Sequence, residues 1–347
     1  MNRNGTSKRE SPHRDIAPPS NGALRLAVGR YRLLFAQGGT VVNEPRFSGS
    51  AWRGAFGRAL RQTVCVTRLD SCGTCLLKAS CAYSYLFETP IPSDALKMRR
   101  YPAAPHPFAL QIHDATATGS PYVLGLNLFG HGNRYLPYVI HAMAQAAAEG
   151  IGRRRTGLSL TAVQQAGTVT DEWRTIYTPE GELKPLLPET PAPPACGTTV
   201  RIVLCSPLRV QRREALVGPQ EFTFTDLFGP LLRRLSMLAY FHGDFPLDVD
   251  FRGLVEQARQ VPLIWTKLRW HDWTRYSSRQ QTTMQMGGLI GEFALDGGEI
   301  GPFWPYLWVG QWTHVGKGTS MGLGQYIIVQ ASLPDQTEPE IRDIGVT

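Results

Sequence analysis

Residues 166–197 end in a run, TPEGELKPLLPETPAPPACG, so rich in Pro, Thr and Gly that neither a helix nor a central strand can pass through it. The chain has 347 residues, more than the ~250–300 at which a single core stops growing. The run therefore reads as a linker with room for one short hairpin between two domains, 23–165 and 198–333, with polar tails at 1–22 and 334–347. Both halves carry a similar pattern. In the first, the alternation of ALRLAVGRYRLLFA (23–36) predicts a half-buried strand, and PYVLGLNLF (121–129) predicts another. Between them, Trp52, Phe56 and Leu60 recur at every fourth residue of GSAWRGAFGRALRQTV (49–64) and make one helical stripe, with Arg53, Arg58 and Arg61 off it. A helix from Tyr135 to Glu149 and a glycine-basic segment leading into a strand complete the half. The second half predicts strands at 198–210, Leu263–Trp273, Thr283–Ala294 and Tyr326–Gln330, and helices at 225–241 and Phe251–Gln260. Leu227, Leu231, Leu235 and Leu238 form the buried face of its longer helix. Strand, helix and strand recur in each half, which predicts an α+β chain of two βαββαβ units in tandem.

Charge narrows the partners. Lys and Arg number 36 against 28 acidic residues, a formal net charge of +8. That excess suits a polyanion, because each neutralised phosphate releases a condensed counterion. No run approaches the ~20 apolar residues of a membrane span, and the polar start lacks the apolar core of a secretory signal. The expectation is a cytoplasmic protein with no membrane partner and with its six cysteines reduced. Four of those six, Cys65, Cys72, Cys75 and Cys81, crowd into residues 65–81 around one C-x-x-C. Four thiolates in that pattern suit a structural tetrahedral zinc, and a C-x-x-C-x5-C core also occurs around iron–sulfur clusters. Cys196 and Cys205 read as small apolar residues.

The most specific segment is WTHVGKGTSMGLGQYIIV (312–329), where Gly316, Gly318, Gly322 and Gly324 surround Lys317, Thr319 and Ser320. Glycine permits positive φ and close backbone approach, so such a loop can present N–H groups to a phosphate. It is not a Walker loop, because Gly318 stands where a magnesium-binding hydroxyl would be needed.

Several segments in order resemble the RAMP-superfamily endoribonucleases that process CRISPR precursor RNA. In the second half they are SPLR (206–209), LLRRL (231–235), WTRYSSRQ (273–280), GGLIGE (287–292) and the terminal HVGKGTSMGLG. The first half adds GSAWRGAFGRALR, the cysteine insert with YLFETP (85–90), and GIGR (150–153). The resemblance spans most of 25–330. It implies two ferredoxin-like, RRM-related domains with repeat RNA on their basic surfaces, the cysteine-rich insert lying in the first. It also implies metal-independent cleavage, in which a ribose 2′-OH attacks the adjacent phosphate to leave 2′,3′-cyclic phosphate and 5′-OH ends.

That chemistry needs a base, an acid and positive charge at the phosphate. Many members of the family place a catalytic histidine on or near the first helix, and residues 49–64 contain none. Of the eight histidines, His314 beside the glycine-rich loop is the leading candidate for proton transfer, with Lys317 stabilising the phosphate. His271, next to Asp272, ranks behind it, and His106 follows a proline in a loop. Expected RNA contacts are Arg53, Arg58, Arg153, Arg154, Arg155, Arg209, Arg275 and Arg279, with Gly316, Gly318, Gly322 and Gly324. The missing helix histidine suits an alternative, a non-cleaving subunit that binds CRISPR RNA beside other effector subunits.

Overall fold

A computed structural model describes residues 23–37, 48–92, 95, 97, 104–112, 120–151, 157–167, 172–277 and 282–331, with backbone alone for 275–277, 282–285 and 331. The first half runs β1 (Val28–Gln37), α1 (Gly49–Val64), β2 (Phe108–Ile112), β3 (Tyr122–Phe129), α2 (Leu136–Ala148), β4 (Leu158–Ala166) and β5 (Trp173–Tyr177). Its antiparallel sheet has the order β2-β3-β1-β4-β5. The second half runs β6 (Thr199–Leu208), a small hairpin of β7 (Gln211–Arg212) and β8 (Ala215–Leu216), α3 (Phe224–His242), α4 (Phe251–Ala258) and β9 (Trp265–His271). A second hairpin of β10 (Thr274–Ser277) and β11 (Thr282–Gln285) follows, then β12 (Gly288–Asp296), α5 (Trp304–Thr313) and β13 (Tyr326–Ala331). Its antiparallel sheet has the order β13-β6-β12-β9. The first and last strands of each βαββαβ unit lie side by side, which is the ferredoxin-like order, repeated in tandem as the sequence predicts.

Period-two alternation divides the first sheet between two cores. Tyr31, Leu33, Phe35, Phe108, Leu110, Leu124, Leu126 and Leu128 pack against Trp52, Phe56 and Leu60 of α1 and against α2. On the opposite face, Val28, Ala109 and Phe129 join the core of the second half. The domains thus share a packed interface. Along α3, Leu227, Leu231, Leu235 and Leu238 are fully buried, each side chain contributing about 1.5–3 kcal/mol. Its start is held by Asp226, whose carboxylate accepts from the Thr223 N–H and hydroxyl at 2.8 Å each.

Two segments differ from the sequence reading. The stretch 166–197 is more than a connector, because β5 extends the first sheet. Beyond it the chain bridges back through Val28 and Glu189, and the Gln165 side-chain amide brackets Leu186, donating to its carbonyl at 3.0 Å and accepting from its N–H at 2.9 Å. Helix α5 has no polar face to betray it. Trp304, Trp308 and Trp312 lie on one stripe with ring centroids 5.8 and 5.6 Å apart. Trp312 passes under the Arg30 guanidinium of β1, and its carbonyl accepts from Asn127 of β3 at 2.8 Å. The helix is apolar around its circumference because both domains cover it.

Candidate RNA-cleaving seam

The glycine-rich loop follows α5 and sits where the two domains meet. Gly316, Gly318, Gly322 and Gly324 all have positive φ. At Gly316 a Cβ would lie 2.4 Å from the Arg209 carbonyl, and at Gly324 one would lie 1.8 Å from the Val315 carbonyl. Only glycine fits either place. The loop is a self-bonded shelf, not an open nest of donors. The N–H groups of Lys317, Met321, Gly322, Leu323 and Gly324 all donate to carbonyls of the loop itself or of segment 207–209. The segment SPLR supplies that support: Ser206 Oγ donates to the Gly322 carbonyl at 2.7 Å, and the Pro207 and Arg209 carbonyls accept from Gly324 and Lys317.

From the first domain, the start of α1 closes against the shelf. A Cβ on Gly49 would lie 1.9 Å from the Met321 carbonyl, so a larger residue would hold the domains apart. One turn along, Arg53 reaches across the seam. Its Nε donates to Ser320 Oγ at 3.1 Å and its Nη2 to His106 Nε2 at 2.9 Å. His106 Nδ1 faces Thr89 Oγ1 at 3.3 Å, and the ring stacks on Phe108. Lys317 is exposed on the shelf. The seam therefore gathers Arg53, Ser320 and His106, with Lys317 exposed three residues before Ser320 on the shelf.

Beneath it lies a buried polar layer. His242 of α3 is 1% exposed. Its Nε2 donates to the Pro105 carbonyl at 2.7 Å, and the Tyr85 hydroxyl donates to Nδ1 at 2.8 Å. Burial pushes its pKa down to about 4. The Arg234 head turns inward, in contrast to exposed Arg233. Its Nε donates to the Thr313 carbonyl at 2.7 Å, and burial lowers its pKa to about 9.

The sequence-predicted residues divide accordingly. His314 is a correction: the ring is 0% exposed and neither nitrogen makes a hydrogen bond of ordinary geometry among the described residues. Burial, reinforced by the Arg234 cation and opposed by the Leu323 carbonyl, lowers its pKa to about 3. The structure encloses this ring instead of presenting it at the seam. Arg209 also turns to structure, donating to the Gly287 carbonyl. Arg58 is exposed on α1. The Arg275 side chain, together with Arg153, Arg154, Arg155 and Arg279, lies outside the described residues. His106 went unranked because its position before a short strand in a Pro-rich stretch carries no helical or strand period.

The cysteines line one small pocket with Val64 and Tyr83, and burial lifts the Cys72 thiol, with the charge of Glu88 adding to it. Among the described residues, however, no group of three or more His, Cys, Asp or Glu side chains could hold a metal ion. Cys65, Cys72, Cys75 and Cys81 share a hollow without converging on a point, so the expected zinc or iron–sulfur site is not supported. No described helix is long and apolar enough to cross a membrane.

The tandem ferredoxin-like domains and the glycine-rich shelf at their seam define a RAMP-type architecture. Comparison with known proteins extends this. Residues 202–326 match the family model for the CRISPR-associated endoribonuclease Cas6, and residues 26–189 match a model described as an N-terminal domain. A Cas6 product complex, of a Thermus thermophilus protein, superposes with a TM-score of 0.52 at 16% identity over 87% of this chain and 99% of that one. A partial Cas6–RT–Cas1–Cas2 complex superposes with a TM-score of 0.51 at 12% identity, covering 88% of this chain and 46% of that one. No curated protein matches by sequence. Residues 202–326 are thus similar to a Cas6 endoribonuclease domain, and the tandem fold is the one seen in the Cas6 structures.

Proposed function

We propose that this protein cuts CRISPR precursor RNA within the repeat, without a metal ion, by attack of a ribose 2′-OH on the adjacent phosphate. The products are a 2′,3′-cyclic phosphate and a 5′-OH. The observation that carries this reading is the seam itself. Arg53 from one domain and Lys317 and Ser320 from the other lie at one junction. Two cations there stabilise the charge that grows on a phosphodiester during attack. The Cas6 match to the half that carries the shelf supports the same reaction. CRISPR repeat RNA is the partner, bound along Arg53, Arg58 and the shelf, with the net charge of +8 supplying the sequence-independent part of affinity. The relative found in a Cas6–RT–Cas1–Cas2 assembly makes other CRISPR proteins reasonable partners for this chain as well.

The absence of a histidine from α1 favours the alternative of a non-cleaving RNA-binding subunit. The two readings part in one experiment. Purified protein in excess EDTA is given repeat RNA from the array of its own host, and the same RNA with a 2′-deoxy substitution at the cut. Cleavage of the first and not the second is the expected result. Tight binding with no cleavage of either establishes the non-cleaving subunit.

A further inference from the structure

His106 occupies a position that its sequence context does not suggest. It stands two residues before β2, partly exposed, where α1, β2 and the glycine-rich shelf come together. A guanidinium can only donate, so the 2.9 Å contact with Arg53 Nη2 requires an unprotonated Nε2. The proton of the neutral ring then sits on Nδ1, towards Thr89 Oγ1. Thr89 itself adopts a left-handed conformation at φ 42° and its carbonyl accepts from the Ala104 N–H at 2.9 Å, fixing the strap that leads to His106. His242 grips the same strap one residue earlier through the Pro105 carbonyl. Phe108 stacks on the ring at 5.7 Å between centroids and Phe87 lies 6.2 Å away. One tautomer and one orientation are thereby held, and the lone pair of Nε2 is aimed into the seam, at the cation that faces the second domain.

We propose that His106 is the general base of the cleavage reaction, with Arg53 receiving the scissile phosphate and releasing Nε2 as it does so. This rests on the ribonuclease reading given above. In free protein Arg53 spans Ser320 and His106. A phosphate oxygen is a stronger acceptor than either, so a docked diester takes over those donors. Nε2 is then free to accept the proton of the 2′-OH. The 2′-oxygen bonds to phosphorus, the bond from phosphorus to the 5′-oxygen breaks, and the departing oxygen takes a proton from solvent water. The imidazolium returns its proton to solvent, so none is consumed. Burial and the Arg53 and Arg234 cations, with His242 adding and the Leu86 carbonyl opposing, hold the ring neutral in the free protein at a pKa of about 3. A bound phosphate offsets those cations and raises the basicity of the ring as substrate arrives.

The site also requires both domains. His106 and Arg53 belong to the first, Ser320 and Lys317 to the second.

The test is single-turnover cleavage of the host repeat RNA in EDTA by wild-type protein and by two variants. His106→Gln keeps an oxygen that can accept from Arg53, which preserves the apo contact without a group that shuttles protons. Its thermal midpoint and RNA affinity should stay near wild type while the cleavage rate falls by about 10²–10⁴-fold. His106→Ala leaves a space, and added imidazole should restore part of its rate. Rates within about threefold of wild type in both variants would overturn the assignment while leaving the ribonuclease reading intact, since that step alone should exceed 10². Failure of the wild-type protein to cut would instead remove that reading, and this inference with it.

Discussion

Ser206→Ala should loosen the glycine-rich shelf from the strand that carries it. Ser206 is 7% exposed, and its hydroxyl makes two hydrogen bonds. It donates to the Gly322 carbonyl at 2.7 Å and accepts from the Gln325 N–H at 2.9 Å. Alanine removes both and offers nothing in return. A buried backbone group left unpaired costs about 1–3 kcal/mol. Gly322 is buried and incurs the full cost, whereas Gln325 is half-buried and water recovers part of its share. The sum is about 2–4 kcal/mol. With a urea slope of about 2 kcal/mol/M for a domain of this size, the unfolding midpoint should fall by roughly 1–2 M. Fluorescence of Trp304, Trp308 and Trp312, on the helix that leads into the shelf, reports the transition. Cleavage should fall as well, because the same hydroxyl holds the loop that carries Ser320 and Lys317. A midpoint shift below about 0.3 M with unchanged cleavage would refute the reasoning, since it would mean the orphaned groups found new partners at no cost.

Acid should destabilise the fold through its histidines. His106, His242 and His314 are neutral in the folded protein, with pKa values lowered to about 3, 4 and 3 by burial. The unfolded chain binds protons at these positions below about pH 6.5, so stability falls as pH drops from 6.5 towards 4, by up to about 1.4 kcal/mol per pH unit per residue. Thermal midpoints measured between pH 7.5 and 4.5 should show that descent, and His242→Gln should make it shallower; a flat profile contradicts the burial argument. His314→Ala should lower the thermal midpoint through the cavity it leaves yet keep the single-turnover rate within about threefold, whereas a loss of 100-fold or more would return the ring to the chemistry. Lys317→Ala should weaken repeat-RNA binding and reduce the slope of log affinity against log salt by about 1. An unchanged slope would show that this ammonium does not touch phosphate.

The local patterns were legible in the chain because they depend on neighbours in sequence. The stripe of Trp52, Phe56 and Leu60 determines α1, and all three residues are fully buried. The alternation along β1 determines which residues face the helices. The glycines of the loop have positive φ at all four places, and at Gly316 and Gly324 a carbonyl leaves no room for a Cβ. Even SPLR, a short string with no period, was recognisable as a segment, and the structure supplies its physical role as the bracket of the shelf.

What tertiary structure decided was the fate of each polar side chain. His314 sits beside the glycine-rich loop in sequence, but a backbone at φ 59° swings its ring into the core. Arg234 has the sequence surroundings of exposed Arg233 but is drawn into the interface through the Thr313 carbonyl. His106 lies in a proline-rich stretch where sequence predicts only a loop, and it reaches the seam because β2 pairs with β3 and His242 grips the residue before it. Helix α5 carries no helical period in sequence because both domains bury it, which erases the polar face that periodicity relies on. Sequence patterns report whether a residue faces a core. They do not report which second surface arrives to cover it, and in this protein the docking of two domains brings the glycine-rich loop to Arg53, which His106 meets from within the same domain.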